Sequence, residues 1–216
     1  SREGRGDSWG AVVRRRRQAA TPARFRAVCP VTDLPEELET ERLRLRRHRP
    51  SDAGEIAHLL DDWEVVRWLS DVPFPYSFAD AEDWIRTAEK RWIAGREYQF
   101  VVTLPDSGAV IGHMGLAIAT NGRVGSFGYW FGRRWWGQGY ATEAAQAVIA
   151  FGFLDLRLER IQAAYHPDNA PSGHVLVKAG LMTDGIKTIE FKALGQAVPC
   201  PLFALSRQDY LKIYAA

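Results

Sequence analysis

Cysteine is nearly missing from these 216 residues, with only Cys29 and Cys200 present. Neither has a partner at metal-ligand spacing, so no metal site and no disulfide framework are expected, and a reducing, cytoplasmic setting is. No apolar run approaches the ~18 residues of a membrane-crossing helix, so no membrane partner is expected. Nothing near residue 1 reads as a secretory apolar stretch. An excess of one charge is missing too: 28 Lys and Arg against 26 Asp and Glu leave +2. That is too little for the molecule as a whole to claim a polyanion. No internal repeat is visible.

What is present suits one globular unit. Hydrophobic residues make up 46%, enough for a sizeable core. The length fits one domain, or one domain and a tail. We place the domain at 38–216 and a basic extension at 1–37. The extension carries Arg2, Arg5, Arg14 to Arg17, Arg24 and Arg26, with no apolar period. Two readings of it stand: a mobile or loosely docked tail, or an arm that attracts a polyanion such as RNA. Trp63, Trp68, Trp84 and Trp92 all fall in the first half and suit a core or a cleft wall.

Leu38 to Arg46 alternates leucine with arginine and predicts a half-buried first strand. Asp52 followed by Glu55 reads as a capping box for a helix with Ile56, Leu59 and Leu60 inward. A short helical turn is expected at Val65 to Leu69. Ser77 can cap another helix, with Ala81, Trp84, Ile85, Ala88 and Trp92 on one face and Gly95 as the stop. The period then changes. Tyr98 to Leu104, Ala109 to Ala119 and Val124 to Phe131 read as an antiparallel meander, turned at Pro105–Gly108 and at Asn121-Gly122. After a helix, Glu159 to Tyr165 reads as a strand parallel to Val124–Phe131. A helix opening near Pro171 should turn Ser172, Val175, Leu176 and Ala179 inward. Two strands, near Ile186 to Ala193 and Pro201 to Ser206, complete a mixed α/β sheet.

The meander runs into Trp135-Trp136-Gly137-Gln138-Gly139-Tyr140-Ala141-Thr142-Glu143. Two glycines two apart permit a tight turn and close approach of a ligand. The helix beyond it has Ala145, Val148, Ile149, Gly152, Phe153 and Leu156 on one stripe. Glu143 suits the positive end of its dipole. The N–H groups of Gln138 to Thr142 would be free, which makes a phosphate-binding concavity.

Trp136-Gly137-Gln138-Gly139-Tyr140-Ala141 resembles the pyrophosphate loop, Gln/Arg-x-x-Gly-x-Gly/Ala, of the GNAT superfamily of acetyl-coenzyme-A-dependent N-acetyltransferases. With Thr142, Glu143 and Ala144 it resembles the ribosomal-protein-alanine N-acetyltransferase branch, where Trp commonly replaces the opening residue. Asn169-Ala170-Pro171-Ser172 with Val175, Lys178 and Gly180, and Thr40-Glu41-Arg42-Leu43-Arg44-Leu45-Arg46, resemble two further blocks of that branch. The likeness spans roughly residues 38 to 212.

The resemblance implies a GNAT-like fold, with the meander joined to a splayed parallel pair of strands and flanked by helices. It implies acetyl-coenzyme A as co-substrate and a primary amine as acceptor, a protein N-terminus or a small molecule. Cofactor contacts are expected from Trp130, Phe131, Gly132, Trp136, Gly137, Gln138, Gly139, Tyr140, Ala141 and Thr142, with Asn169, Ser172 and Lys178 beyond them. One N–H in Trp130–Gly132 would polarise the thioester. Many members place a Tyr four residues beyond Ser172 to serve the leaving thiol, but here that position is Leu176. Ser172 is then the candidate donor, or else a first-turn hydroxyl bonded to backbone. Asn169 holds the cofactor or caps the helix. His113 and His166 are candidate general bases or structural histidines, since imidazole titrates in the right range. Lys178 could meet a phosphate or stand in solvent. A homodimer is compatible with the family. A small-molecule acetyltransferase and a non-catalytic acyl-coenzyme-A sensor are the alternatives, and turnover with a panel of amines separates them.

Overall fold

The computed structural model describes residues 34–214. The basic arm expected over 1–37 lies, up to residue 33, outside the described residues. From Leu34 the chain belongs to the domain: Leu34 packs on the core, and a strand opens at Glu37.

Eight strands form one sheet: β1 Glu37–Glu39, β2 Arg44–Arg46, β3 Glu97–Thr103, β4 Val110–Ile118, β5 Val124–Phe131, β6 Arg160–Ala164, β7 Met182–Phe191 and β8 Gln196–Ser206. Their order is β1-β2-β3-β4-β5-β6-β8-β7. Every neighbouring pair is antiparallel except β5 and β6. Helices α1 Ala53–Leu60, α2 Trp63–Val66 and α3 Phe78–Ile93 join β2 to β3; α4 Tyr140–Leu154 makes the β5–β6 crossover. Helix α5 Ala170–Lys178 follows β6, and α6 Arg207–Tyr214 closes the described chain. This is the mixed α/β sheet and meander expected. No helix among the described residues is long and apolar enough to cross a membrane.

Alternation along the strands sorts the core onto two faces. Phe100, Val102, Leu116 and Phe127 pack with Ala144, Val148 and Phe151 of α4. Val101 and Trp130 pack instead with Ile56 and Leu60 of α1 and Ile85 of α3. Helix α4 is buried on nearly all sides, from Glu143 to Phe153, a wider face than the single stripe expected. Gly152 explains part of this. A Cβ there would stand 2.6 Å from Ile161 Cδ1, so only glycine lets the helix lie so close to the sheet.

Three expectations are corrected. The first strand over Leu38–Arg46 is a hairpin, with Leu38 opposite Leu45. It turns because the Thr40 side chain accepts the Leu43 N–H (3.0 Å) while the Thr40 N–H donates to the Leu43 carbonyl (2.9 Å). Both leucines still point inward, and burying each contributes about 1.5–3 kcal/mol. Second, Asp52 and Glu55 make no capping box. The Asp52 carboxylate accepts from Arg46 at 2.8 and 2.9 Å and from the Arg49 N–H at 2.7 Å. Third, α6 was not expected. Its signal was local: Ser206 Oγ accepts the Asp209 N–H (3.1 Å) and donates to the Asp209 carboxylate (2.6 Å), a capping pair three residues apart.

Candidate active site

β5 and β6 keep company for only three residue pairs, Val124–Arg160 to Ser126–Gln162. Beyond these, β5 stays with β4 as far as Phe131, and β6 stays with β8 as far as Ala164. The strands therefore part toward their C-terminal ends, and each leaves backbone groups unpaired on the gap side. The Gly132 N–H donates to the Ile111 carbonyl (3.0 Å). The Gly112–Phe131 pair is thus of the non-hydrogen-bonded kind, which turns the N–H groups of Tyr129 and Phe131 toward the gap. Of the stretch Trp130–Gly132, only Phe131 offers its N–H there. Its carbonyl is taken by the Trp136 indole N–H at 2.7 Å.

The glycine loop opens at the same end. Gly137 (φ 73°) and Gly139 (φ 82°) lie in the left-handed region, where a Cβ costs about 1–2 kcal/mol. A Cβ on Gly137 would meet nothing within 4 Å; one on Gly139 would lie 3.3 Å from Arg42 Nη2. Among the described residues no backbone carbonyl accepts the N–H groups of residues 137–142. Tyr140, Ala141 and Thr142 begin α4, so their N–H groups point out of its positive end. That is a cradle shaped for phosphate oxygens.

The loop is held from outside by the β1–β2 hairpin. Glu143 accepts from Thr40 Oγ1 (2.5 Å), from the Arg42 N–H (2.9 Å) and from Arg42 Nε (2.7 Å). Arg42 also donates to the Gln138 carbonyl (3.0 Å) and lies over the Tyr140 ring (4.8 Å). Glu143 is buried, so its fit to the helix dipole is secondary to this pairing. The loop also ties to itself, through Gln138 Nε2 and the Arg134 carbonyl (2.9 Å).

Across the gap stands α5. Asn169 caps it, its side chain accepting the Ser172 N–H at 3.4 Å. Ser172 Oγ lies 2.7 Å from the Tyr129 hydroxyl. Burial pushes the Tyr129 phenol up to about 12, partly offset by that bond, so it remains protonated at neutral pH. Gly173 lets α5 seat tightly, since a Cβ would stand 2.6 Å from the Tyr165 ring. Leu176 is buried and apolar. Lys178 sits exposed in the last turn, at the opposite end of α5 from Ser172, its carbonyl accepting from Gln146 (3.3 Å). Tyr129 and Arg42 were missed as site residues. Their partners lie 43 and 101 positions away, and no local pattern announces such a pairing.

His113 is not in the gap. It lies on the α1–α3 face of β4, paired with Trp130. Trp84 covers it edge-on (4.7 Å) and His48 lies 5.4 Å away. Burial, and then the nearby His48, hold the His113 pKa well below 6.5. Its ring is neutral at pH 7 and binds a proton weakly. His166 is also buried, set against Trp68 (5.2 Å) and Phe191 (5.0 Å), with Nδ1 accepting the Asp168 N–H at 3.2 Å. On the α1–α2 side of the loop, a cavity of about 750 Å³ is bordered by His58, Asp61, Trp63, Tyr76 and Arg134. No group of three or more metal-ligating side chains occurs among the described residues.

The same architecture recurs among solved structures. Ribosomal-protein-S5-alanine acetyltransferase from Vibrio fischeri superposes with a TM-score of 0.71 at 22% identity, over 81% of this chain and 98% of that one. Mycobacterium smegmatis RimJ, solved in complex with CoA-disulfide, gives 0.69 at 21%, over 77% and 83%. At such identities the likeness is one of fold. Sequence carries it further. The uncharacterized N-acetyltransferase p20 of Bacillus licheniformis is 33% identical over 81% of this chain and 98% of its own length. The [ribosomal protein uS5]-alanine N-acetyltransferase of Escherichia coli is 30% identical over 80% and 92%. The family description "Acetyltransferase (GNAT) domain" matches residues 42–182, a span that begins at the Arg42 brace and takes in the glycine loop, the parted strands and Ser172. The chain belongs to the GNAT family of N-acetyltransferases.

Proposed function

We propose that this enzyme acetylates the α-amine at the N-terminus of a protein, using acetyl-coenzyme A. The observation that carries the cofactor is the joining of two features at one sheet edge: N–H groups at residues 137–142 that no backbone carbonyl among the described residues accepts, and a gap edged by unpaired N–H groups of β5. When bound, acetyl-coenzyme A supplies an activated acetyl thioester. The loop of Gly137, Gln138, Gly139, Tyr140, Ala141 and Thr142 holds its pyrophosphate, with Trp136 fixing the entry to the loop. The N–H groups of Tyr129 and Phe131 serve the amides and the carbonyl that run through the gap, as oxyanion donors do. Ser172, oriented by Tyr129, donates a hydrogen bond toward the departing sulfur and stands in for the tyrosine that Leu176 replaces. Asn169 positions Ser172 by capping its helix. No carboxylate or charged histidine is assigned as base. An α-amine with pKa of about 7.7–8.0 can lose its proton to water.

The acceptor class rests on the Escherichia coli relative, whose name states a ribosomal-protein alanine. A cytoplasmic setting accords with that acceptor and with the buried, unpaired Cys200. The test is thiol release from acetyl-coenzyme A with a panel of amines, beside direct binding of acetyl-coenzyme A. Turnover of peptides bearing a free N-terminal Ala or Ser supports the reading. Faster turnover of spermidine or free amino acids would make this a small-molecule enzyme. Binding without turnover of any amine would make it a sensor.

A further inference from the structure

The cavity of about 750 Å³ on the α1–α2 side of the glycine loop has no part in the chemistry above. It opens where β5 ends. Leu59, on its wall, packs so tightly on Gly132 that a Cβ there would stand 2.6 Å from Leu59 Cδ2. Arg133 and Arg134, the next two residues, also line it. The chain thus edges the gap at Phe131 and the cavity two residues later, at Arg133.

Four Asp and Arg side chains stand on the wall, and three are already answered. Arg133 Nε lies 3.0 Å from Asp62, whose other oxygen caps α2 by accepting the Glu64 N–H (3.0 Å). Arg134 lies 3.4 Å from Glu55 and over the Trp135 ring. Asp61, which ends α1, is exposed, and among the described residues its carboxylate has no hydrogen bond or ion pair. Two residues on, Trp63 is 37% exposed and meets Phe74 edge-on at 5.3 Å. Tyr76 completes the wall. Burial, and then the Asp80 charge, push its phenol up to about 12, so it adds no charge. An unanswered carboxylate beside an aromatic face suits a guanidinium or an ammonium, which pairs with the one and rests on the other.

We infer that this cavity receives the acceptor's second or third residue and selects a cationic side chain there, Arg or Lys, through Asp61 and Trp63. This rests on the acetyltransferase reading above and names the class of N-terminus that the enzyme takes. The terminal amine must reach the thioester in the gap. Each further residue of an extended peptide adds about 3.3–3.6 Å, so the side chains that come against the α1–α2 side are those directly after the terminal one. An acidic side chain there would face Asp61. Arg133 and Arg134 do not relieve that repulsion, because Asp62 and Glu55 hold them. A phosphate in the cavity would need the same two cations.

The test uses the full chain and hexapeptides that begin with Ala and carry Arg, Met or Glu at position two or three of one neutral sequence. Thiol release from acetyl-coenzyme A gives kcat/KM at pH 7. We expect Arg over Glu by roughly tenfold at one of the two positions, carried mainly by KM, from an exposed ion pair together with a cation–ring contact. Asp61→Asn should cut that ratio to below about threefold, and Asp61→Lys should reverse it. Trp63→Leu should lower the ratio of Arg to Met. Reversal of the preference by reversal of one charge is something that a loss of stability cannot produce. Equal turnover of the Arg, Met and Glu peptides by the wild type, or an unchanged ratio in Asp61→Asn, would overturn the inference and leave the transferase reading standing. So would an affinity that rises in Asp61→Lys for acetyl-coenzyme A and not for its 3′-dephospho form, since the cavity would then hold the cofactor's phosphate. If the wild type binds acetyl-coenzyme A and acetylates none of the peptides, the transferase reading falls and this inference with it.

Discussion

The Tyr129 hydroxyl meets Ser172 Oγ at 2.7 Å across the gap between β5 and α5. The two come from separate blocks of sequence, yet the fold makes them one hydroxyl pair. Ser172→Ala should lower kcat by roughly 10²-fold or less, since water can partly substitute, and should leave the Kd for coenzyme A nearly unchanged. Tyr129→Phe should lower kcat in the same direction by a smaller factor, because Ser172 keeps its hydroxyl and loses only its orientation. Wild-type kcat in Ser172→Ala would reject the donor role.

The phenol of Tyr129, pushed up to about 12, stays protonated through the range where α-amines titrate. Turnover should therefore rise with pH as the acceptor loses its proton, and show no descending limb from Tyr129 below about pH 10. A fall between pH 8 and 9 that Tyr129→Phe abolishes would contradict this.

Gly139→Asp should abolish coenzyme A binding in a folded protein. The substitution strains a residue at φ 82° and puts a carboxylate beside the phosphate cradle. The strain alone, about 1–2 kcal/mol, corresponds to roughly tenfold in affinity, and charge repulsion adds to it. Titration calorimetry with circular dichroism as the folding control decides it. Unchanged affinity would remove the loop from the site.

Arg42→Ala leaves the buried Glu143 carboxylate without its cation. Removing one partner of a fully buried pair costs about 3–5 kcal/mol; Arg42 is 45% exposed, so about 2 kcal/mol is expected. The Gln138 carbonyl also loses its donor, and coenzyme A affinity should fall by roughly tenfold. Pairing Arg42→Met with Glu143→Met should recover stability but not affinity. Denaturant melts and calorimetry on the single and double variants measure both.

His48 and His113 both have folded-state values below 6.5, His48 at about 4, chiefly through burial. The unfolded chain then binds more protons between these values. The stability they contribute is complete above about pH 6.5 and is lost as pH falls toward 4. For His48 the loss is at most about 3 kcal/mol. Urea midpoints should drop between pH 7 and pH 5, and His48→Phe should flatten that drop. A midpoint that rises on acidification would reverse the sign.

The loop was legible because its chemistry is local. Gly137, Gly139 and the apolar run after Gly139 need only nearest neighbours to specify a strand, a left-handed turn and a helix start. The meander was legible for the same reason, through period and the Asn121-Gly122 turn. The hairpin at Thr40 was not. The Leu/Arg alternation runs straight through the Thr40–Leu43 bonds that close it, and the Glu143 carboxylate that braces it from Thr40 lies 103 residues away. Asp52 misled because a capping pattern says nothing of a competing guanidinium. Arg46, six residues back on the neighbouring strand, binds that carboxylate more strongly than a helix N–H would.

The amino-acid sequence by itself determined the order of the central elements, the left-handed glycine turn that opens α4 and the family, since each rests on residues adjacent in the chain. Only the tertiary structure decided which groups share the gap. It paired Tyr129 with Ser172 and Arg42 with Glu143, turned Phe131 rather than Gly132 toward the opening, and buried His113 under Trp84. These outcomes follow from strand register and from where β5 parts from β6. Register is set by the summed packing of a whole sheet face, and no short stretch of sequence contains that sum.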